Sequence, residues 1–87
     1  MKSIQITVEN KVGLHARPAT LFVRAAQKHK STIMVSYNGK TVNAKSLLGL
    51  LSLGAAKDAE ITIAAEGGDE EEAVNSLASL IKSDFGE

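Results

Sequence analysis

The 87-residue sequence contains no cysteine, no tryptophan and a single proline, and its only aromatic side chains are Phe22, Tyr37 and Phe85. Without cysteine there is no disulfide framework, no thiolate metal site and no thiol chemistry. So few aromatics leave little on which bases could stack, which argues against a nucleic-acid partner. No apolar run approaches the ~18 residues of a membrane span, and "MKSIQITVEN" at the start is not a signal peptide. A soluble, cytoplasmic chain without membrane insertion is expected. Its length suits one domain spanning residues 1–87, which would bury only ~60–65% of its unfolded surface and so favours a thin two-layer fold.

The net charge of zero hides an asymmetry. Residues 1–57 carry nine Lys or Arg and one acid, Glu9, whereas residues 58–87 carry one Lys and nine acids. That is +8 against −8, consistent either with solvated surface or with a basic face for an acidic partner.

Periodicity then orders the elements. Ile4, Ile6 and Val8 alternate with polar residues as in a half-buried strand. Ala19, Phe22, Val23 and Ala26 recur at helical spacing, and Lys28–Lys30 suit the negative helix end. Ile33, Val35 and Tyr37 alternate again before "NG", a strong hairpin signal that pairs 32–37 with 40–43. A short helix from about Ser46 to Leu53 ends at Gly54. Ile61 and Ile63 share one face of a fourth strand. The last helix buries Val74, Leu77, Ala78 and Ile81, with Asp69 as its expected N-cap and Glu70, Glu71 and Glu72 in its first turn. The order β-α-β-β-α-β-α predicts an α+β fold, an open-faced two-layer sandwich of a four-stranded antiparallel sheet with three helices on one face.

Pro18 lacks an N–H and so belongs in the first turn of the first helix, which puts His15 at or next to the N-cap. The N–H groups of Ala16 and Arg17 then form an anion site, and the Arg17 guanidinium adds a planar cation suited to phosphate. On spacing alone His15 is either an exposed capping residue or a phosphoryl acceptor. His29, in "KHK", is expected to be solvated at a helix end, and two histidines without clustered acids make no metal site. The acids of "EGGDEEE" lack the alternating spacing of a calcium loop. Five leucines surround the short helix. Leu50 and Leu53 are the better core candidates, which leaves Leu47, Leu48 and Leu51 as an exposed apolar patch of the kind that marks docking surfaces, unless all five are buried.

"GLHARPA" (13–19), "YNGKTVNAKSLLGLLSLG" (37–54) and "KDAEITIAAEG" (57–67) resemble HPr, the histidine-containing phosphocarrier family of the bacterial phosphoenolpyruvate:sugar phosphotransferase system. The likeness covers essentially the whole chain. It implies a monomeric carrier rather than an enzyme, with no cofactor and no metal. Such a carrier takes a phosphoryl group from enzyme I on Nδ1 of His15, assisted by Arg17, and passes it to IIA domains of sugar permeases. Ala16, Thr20, Leu47, Leu48 and Leu51 are the partner-binding positions that follow. Ser46 matches the serine that an ATP-dependent HPr kinase/phosphorylase modifies in one branch of the family, which brings in a catabolite-control regulator as a further partner. Ser46 is equally a preferred N-cap residue. An RNA-recognition module shares the β-α-β-β-α-β order but would display aromatics on its central strands, where only Tyr37 is available. A regulatory paralogue without phosphotransfer would not need His15.

Overall fold

The computed structural model describes residues 1–9 and 13–83. Seven elements follow in the expected order: β1 (Lys2–Thr7), α1 (Ala16–Gln27), β2 (Thr32–Tyr37), β3 (Lys40–Asn43), α2 (Leu47–Ser52), β4 (Glu60–Glu66) and α3 (Glu70–Lys82). The four strands form one sheet in the order β1-β4-β2-β3, with every neighbouring pair antiparallel. Asn38 and Gly39 turn β2 into β3 with φ of 52° and 83°. Positive φ at both central residues suits the right-handed twist of the flanking strands.

Strand alternation decides which face is buried. Ile4 pairs with Ile63 and Ile6 with Ile61, while Val35 faces Ile63 from the other side. This register collects Ile33, Val35, Ile61 and Ile63 on one face, each with no exposed surface. The helices cover that face: Phe22 and Ala26 of α1, Leu50 of α2, and Leu77 and Ile81 of α3 complete the core. Fully burying one such large apolar side chain contributes about 1.5–3 kcal/mol. The opposite face carries short polar groups, among them Ser36 and Thr41, whose hydroxyls lie 2.8 Å apart across the β2–β3 pair.

At the α1–β2 turn one expectation, the Asp69 N-cap, holds in position only, and another, the solvated His29, needs correction. Asp69 occupies the N-cap position of α3 but makes no side-chain cap bond. Its carboxylate instead accepts the N–H of Lys30 and the N–H of Ser31, both at 2.9 Å, together with the Ser31 hydroxyl. Asp69 has φ of −112° and ψ of 28°, outside the extended backbone from which an N-cap side chain ordinarily reaches the first turn of its own helix. The Glu70 carboxylate takes the nearby Gly67 N–H at 3.2 Å. His29 is not solvated. Only 10% of its side chain is exposed, and Nδ1 lies 3.4 Å from Asp69 Oδ2. Phe85 falls outside the described residues.

Candidate functional site

His15 enters α1 in extended backbone, with φ of −80° and ψ of −179°, and is the N-cap residue. The first intrahelical bond runs from the Ala19 N–H to the His15 carbonyl at 2.8 Å. Ala16 and Arg17 therefore occupy the first two helical positions and Pro18 the third. Pro18 and Ala19 are buried, whereas His15, Ala16 and Arg17 are exposed. The imidazole makes no cap hydrogen bond. His15 caps the helix with its backbone only, so capping does not account for the ring.

The chain leading into His15 rests on the loop after α2. The Leu14 N–H donates to the Ala55 carbonyl at 2.9 Å, and both residues are buried. An open depression of about 350 Å³ lies at this junction, lined by Leu14, His15, Ala16, Leu51, Gly54, Ala55 and Ala56. It joins the N-terminus of α1 to the C-terminal half of α2.

The helix α2 is short because Ser46 starts it and Gly54 stops it. Ser46 is the N-cap in extended backbone, and its Oγ accepts the Gly49 N–H at 3.1 Å. Leu53 is the C-cap, and Gly54 follows with φ of 66°. Fewer than two helical turns cannot bury all five leucines. Leu50 is fully buried and Leu53 nearly so, whereas Leu47 and Leu51 are each 37% exposed and Leu48 is 81% exposed. Leu51 also lines the depression beside His15, so this apolar surface and the imidazole adjoin. At the other end of α2, the segment before the helix is tied to the turn after α1, since Lys45 Nζ donates to the His29 carbonyl at 2.8 Å.

Thr20 is half-buried on α1, and its hydroxyl donates to the Ala16 carbonyl at 2.7 Å. That bond occupies the Thr20 proton within the helix. Among the described residues no group of three or more His, Cys, Asp or Glu is placed to hold a metal ion. Nor is any described helix long and apolar enough to cross a membrane. The closeness of residues 13–14 to residues 55–56 was missed at the level of sequence. The glycine two positions before the histidine was the one signal that could have suggested a close backbone approach.

Residues 2–83 match the family model for the PTS HPr component phosphorylation site. Among solved structures, HPr-C-His from Thermoanaerobacter tengcongensis is 52% identical, with 100% of this chain and 98% of that chain covered and a TM-score of 0.97. The phosphocarrier protein HPr of Bacillus anthracis str. Ames is 45% identical over 90% of this chain and 93% of its own, with a TM-score of 0.87. Crh, the catabolite repression HPr of Bacillus subtilis, described as a swapped dimer, is 42% identical over 95% of each chain, with a TM-score of 0.77.

Proposed function

This chain belongs to the HPr phosphocarrier family of the phosphotransferase system, and from that membership we propose that it accepts a phosphoryl group on His15 from phosphorylated enzyme I and donates it to IIA domains of sugar permeases. The observation that carries this reading is the exposed His15 ring, held at the start of α1 without a cap bond of its own. In the acceptance step the lone pair of Nδ1 attacks phosphorus. The bond from phosphorus to the donor breaks, and its electron pair returns to the donor. Donation to a IIA domain runs the same displacement in the opposite sense.

The transferring group is loose and metaphosphate-like, so the protein contributes position and charge more than covalent chemistry. The first N–H groups of α1 and the Arg17 guanidinium suit its equatorial oxygens. Each helix-end interaction is worth about 0.3–1 kcal/mol when exposed. That modest stabilisation suits a carrier, which must release what it accepts. The chain is thus a substrate of the enzymes on either side rather than a turnover enzyme, and it acts as a cytoplasmic monomer.

Docking uses Ala16 and Thr20 of α1 with Leu47, Leu48 and Leu51 of α2. The exposed leucines beside His15 support this surface. Ser46 is a regulatory site for an HPr kinase/phosphorylase, and its phosphorylated form is the one a catabolite-control regulator would recognise. Its position at the head of the docking helix favours that role.

The test is incubation with phosphoenolpyruvate and enzyme I. The wild type should gain one acid-labile phosphate, and His15→Ala should gain none while keeping its fold. Full acid-labile labelling of the alanine variant would overturn the assignment.

A further inference from the structure

Gly13 precedes the two residues that enter α1 and has a φ of +65°, a conformation that L side chains rarely adopt. A Cβ at this position would lie 2.5 Å from the carbonyl oxygen of Ala55, 2.5 Å from the Cα of Ala56 and 2.8 Å from the Ala56 carbonyl carbon. All three are backbone atoms, which cannot swing aside as the end of a flexible side chain can. One residue on, the Leu14 N–H donates to that same Ala55 carbonyl at 2.9 Å. The two residues immediately before His15 are thus seated on the α2–β4 loop. On the other side of the contact, α2 ends at Ser52, Leu53 caps it from a buried position, and only Gly54 separates that cap from Ala55.

From this geometry we infer that Gly13 and Ala55 are positioning residues for phosphoryl transfer, because their backbone contact fixes His15 relative to the Leu47, Leu48 and Leu51 surface of α2. The inference rests on the reading of His15 as the phosphoryl acceptor. A partner docked on α2 meets the imidazole at a set distance because one short strut, Leu53 to Ala55, joins the docking helix to the chain that carries the ring. The depression shared by His15, Leu51 and residues 54–56 lies over this strut. Reacting atoms must approach to within about 3–3.5 Å in line, and a misplacement of about 1 Å can cost on the order of a hundredfold in rate. Loosening the strut should therefore act on the chemical step and leave docking in place.

Gly13→Ala tests the strut, and Gly39→Ala is its matched control. Gly39 also has positive φ, +83°, but a Cβ there meets nothing within 4 Å, so that variant carries the backbone strain without the collision. The kcat and KM of enzyme I are measured with each carrier as substrate, at a temperature where circular dichroism shows it folded. Gly13→Ala should lower kcat by roughly tenfold or more with KM within about twofold of wild type, and its Leu14 amide should exchange faster with deuterium. Gly39→Ala should leave both constants unchanged.

If Gly13→Ala does not fold, a glycine inserted between Gly54 and Ala55 shifts the Ala55 carbonyl without straining residue 13, and it should show the same loss of kcat. A folded variant with wild-type kcat, or a loss confined to KM, overturns the positioning role while leaving His15 as acceptor. A wild-type protein that takes no phosphoryl group on His15 overturns the acceptor reading and the positioning role with it.

Discussion

The Asp69 carboxylate is bonded to Ser31, 38 positions earlier in the chain, through both the hydroxyl and the backbone N–H of that residue. Ser31 is buried, and the pair closes the α1–β2 turn onto the β4–α3 turn. The Ser31 hydroxyl, followed by the Lys30 N–H, holds the Asp69 carboxyl well below the usual carboxylate range.

This depression fixes the sign of a pH effect. A carboxyl group with a lower pKa in the folded than in the unfolded state adds stability above its unfolded value, and that contribution is lost as pH falls toward the folded one. Thermal melts from about pH 7 down to about pH 3 should show the wild type losing stability below about pH 5. Asp69→Asn should be less stable at neutral pH and show a shallower decline in acid. Parallel wild-type and variant profiles would show that the pair contributes nothing through its charge.

Leu48 and Leu50 stand two positions apart and should behave oppositely. Leu48 is 81% exposed, so Leu48→Asp should change stability by no more than about 0.5 kcal/mol while raising the KM of enzyme I for the carrier. Leu50 is fully buried, and Leu50→Ala should cost about 2–5 kcal/mol. Urea titration with steady-state transfer separates the two effects. An unchanged KM in the folded Leu48 variant removes this surface from docking.

Arg17→Ala should slow transfer in both directions on the order of tenfold or more, with partner affinity changed less, because a planar cation acts on charge that is spread over the moving phosphoryl oxygens. Single-turnover rates from enzyme I and to a IIA domain read this directly. Unchanged rates would mean that the helix N–H groups suffice.

The capping role of Ser46 and its proposed regulatory role are separable by experiment. As N-cap it accepts the Gly49 N–H, and Ser46→Ala should cost about 0.5–2 kcal/mol. A phosphoserine adds about −1.5 to −2 charges. Against one partner carboxylate ~10 Å away in water that gives only ~0.6–0.8 kcal/mol of repulsion. Phosphorylation that merely repels at a distance should inhibit transfer a few-fold and lose its effect in ~0.5 M salt. Inhibition beyond about tenfold that survives such salt places the phosphate inside the contact beside Leu47, Leu48 and Leu51. Transfer at the unmodified rate would leave Ser46 as an N-cap only.

What could be read from the sequence is what neighbouring residues decide. Asn38-Gly39 announces its hairpin, Pro18 locates the start of α1, and the spacing of Leu50 and Leu53 marks the inward face of α2. The strand order, with β4 between β1 and β2, was not legible there, because it pairs strands that are distant in the chain. What escaped is what depends on residues distant in the chain. Asp69 has the composition of a helix cap and becomes a tie because Ser31 and Lys30 offer three donors from another turn. His29 looked solvated among lysines, yet the same turn packs its ring beside Asp69. The approach of Gly13 to Ala55 spans 42 positions, and no local pattern encodes it.

The chain has two histidines, and the proposed phosphoryl transfer uses only one of the two rings. His15 is exposed at the start of α1, while the His29 side chain is 10% exposed and lies beside Asp69. Nitrogen-15 and phosphorus-31 NMR of the protein phosphorylated by enzyme I and phosphoenolpyruvate identifies the acceptor atom. The expected result is one phosphoryl group on Nδ1 of His15 with the His29 ring signals unmoved. A phosphoryl group on His29, on a hydroxyl, or on neither ring would contradict the account.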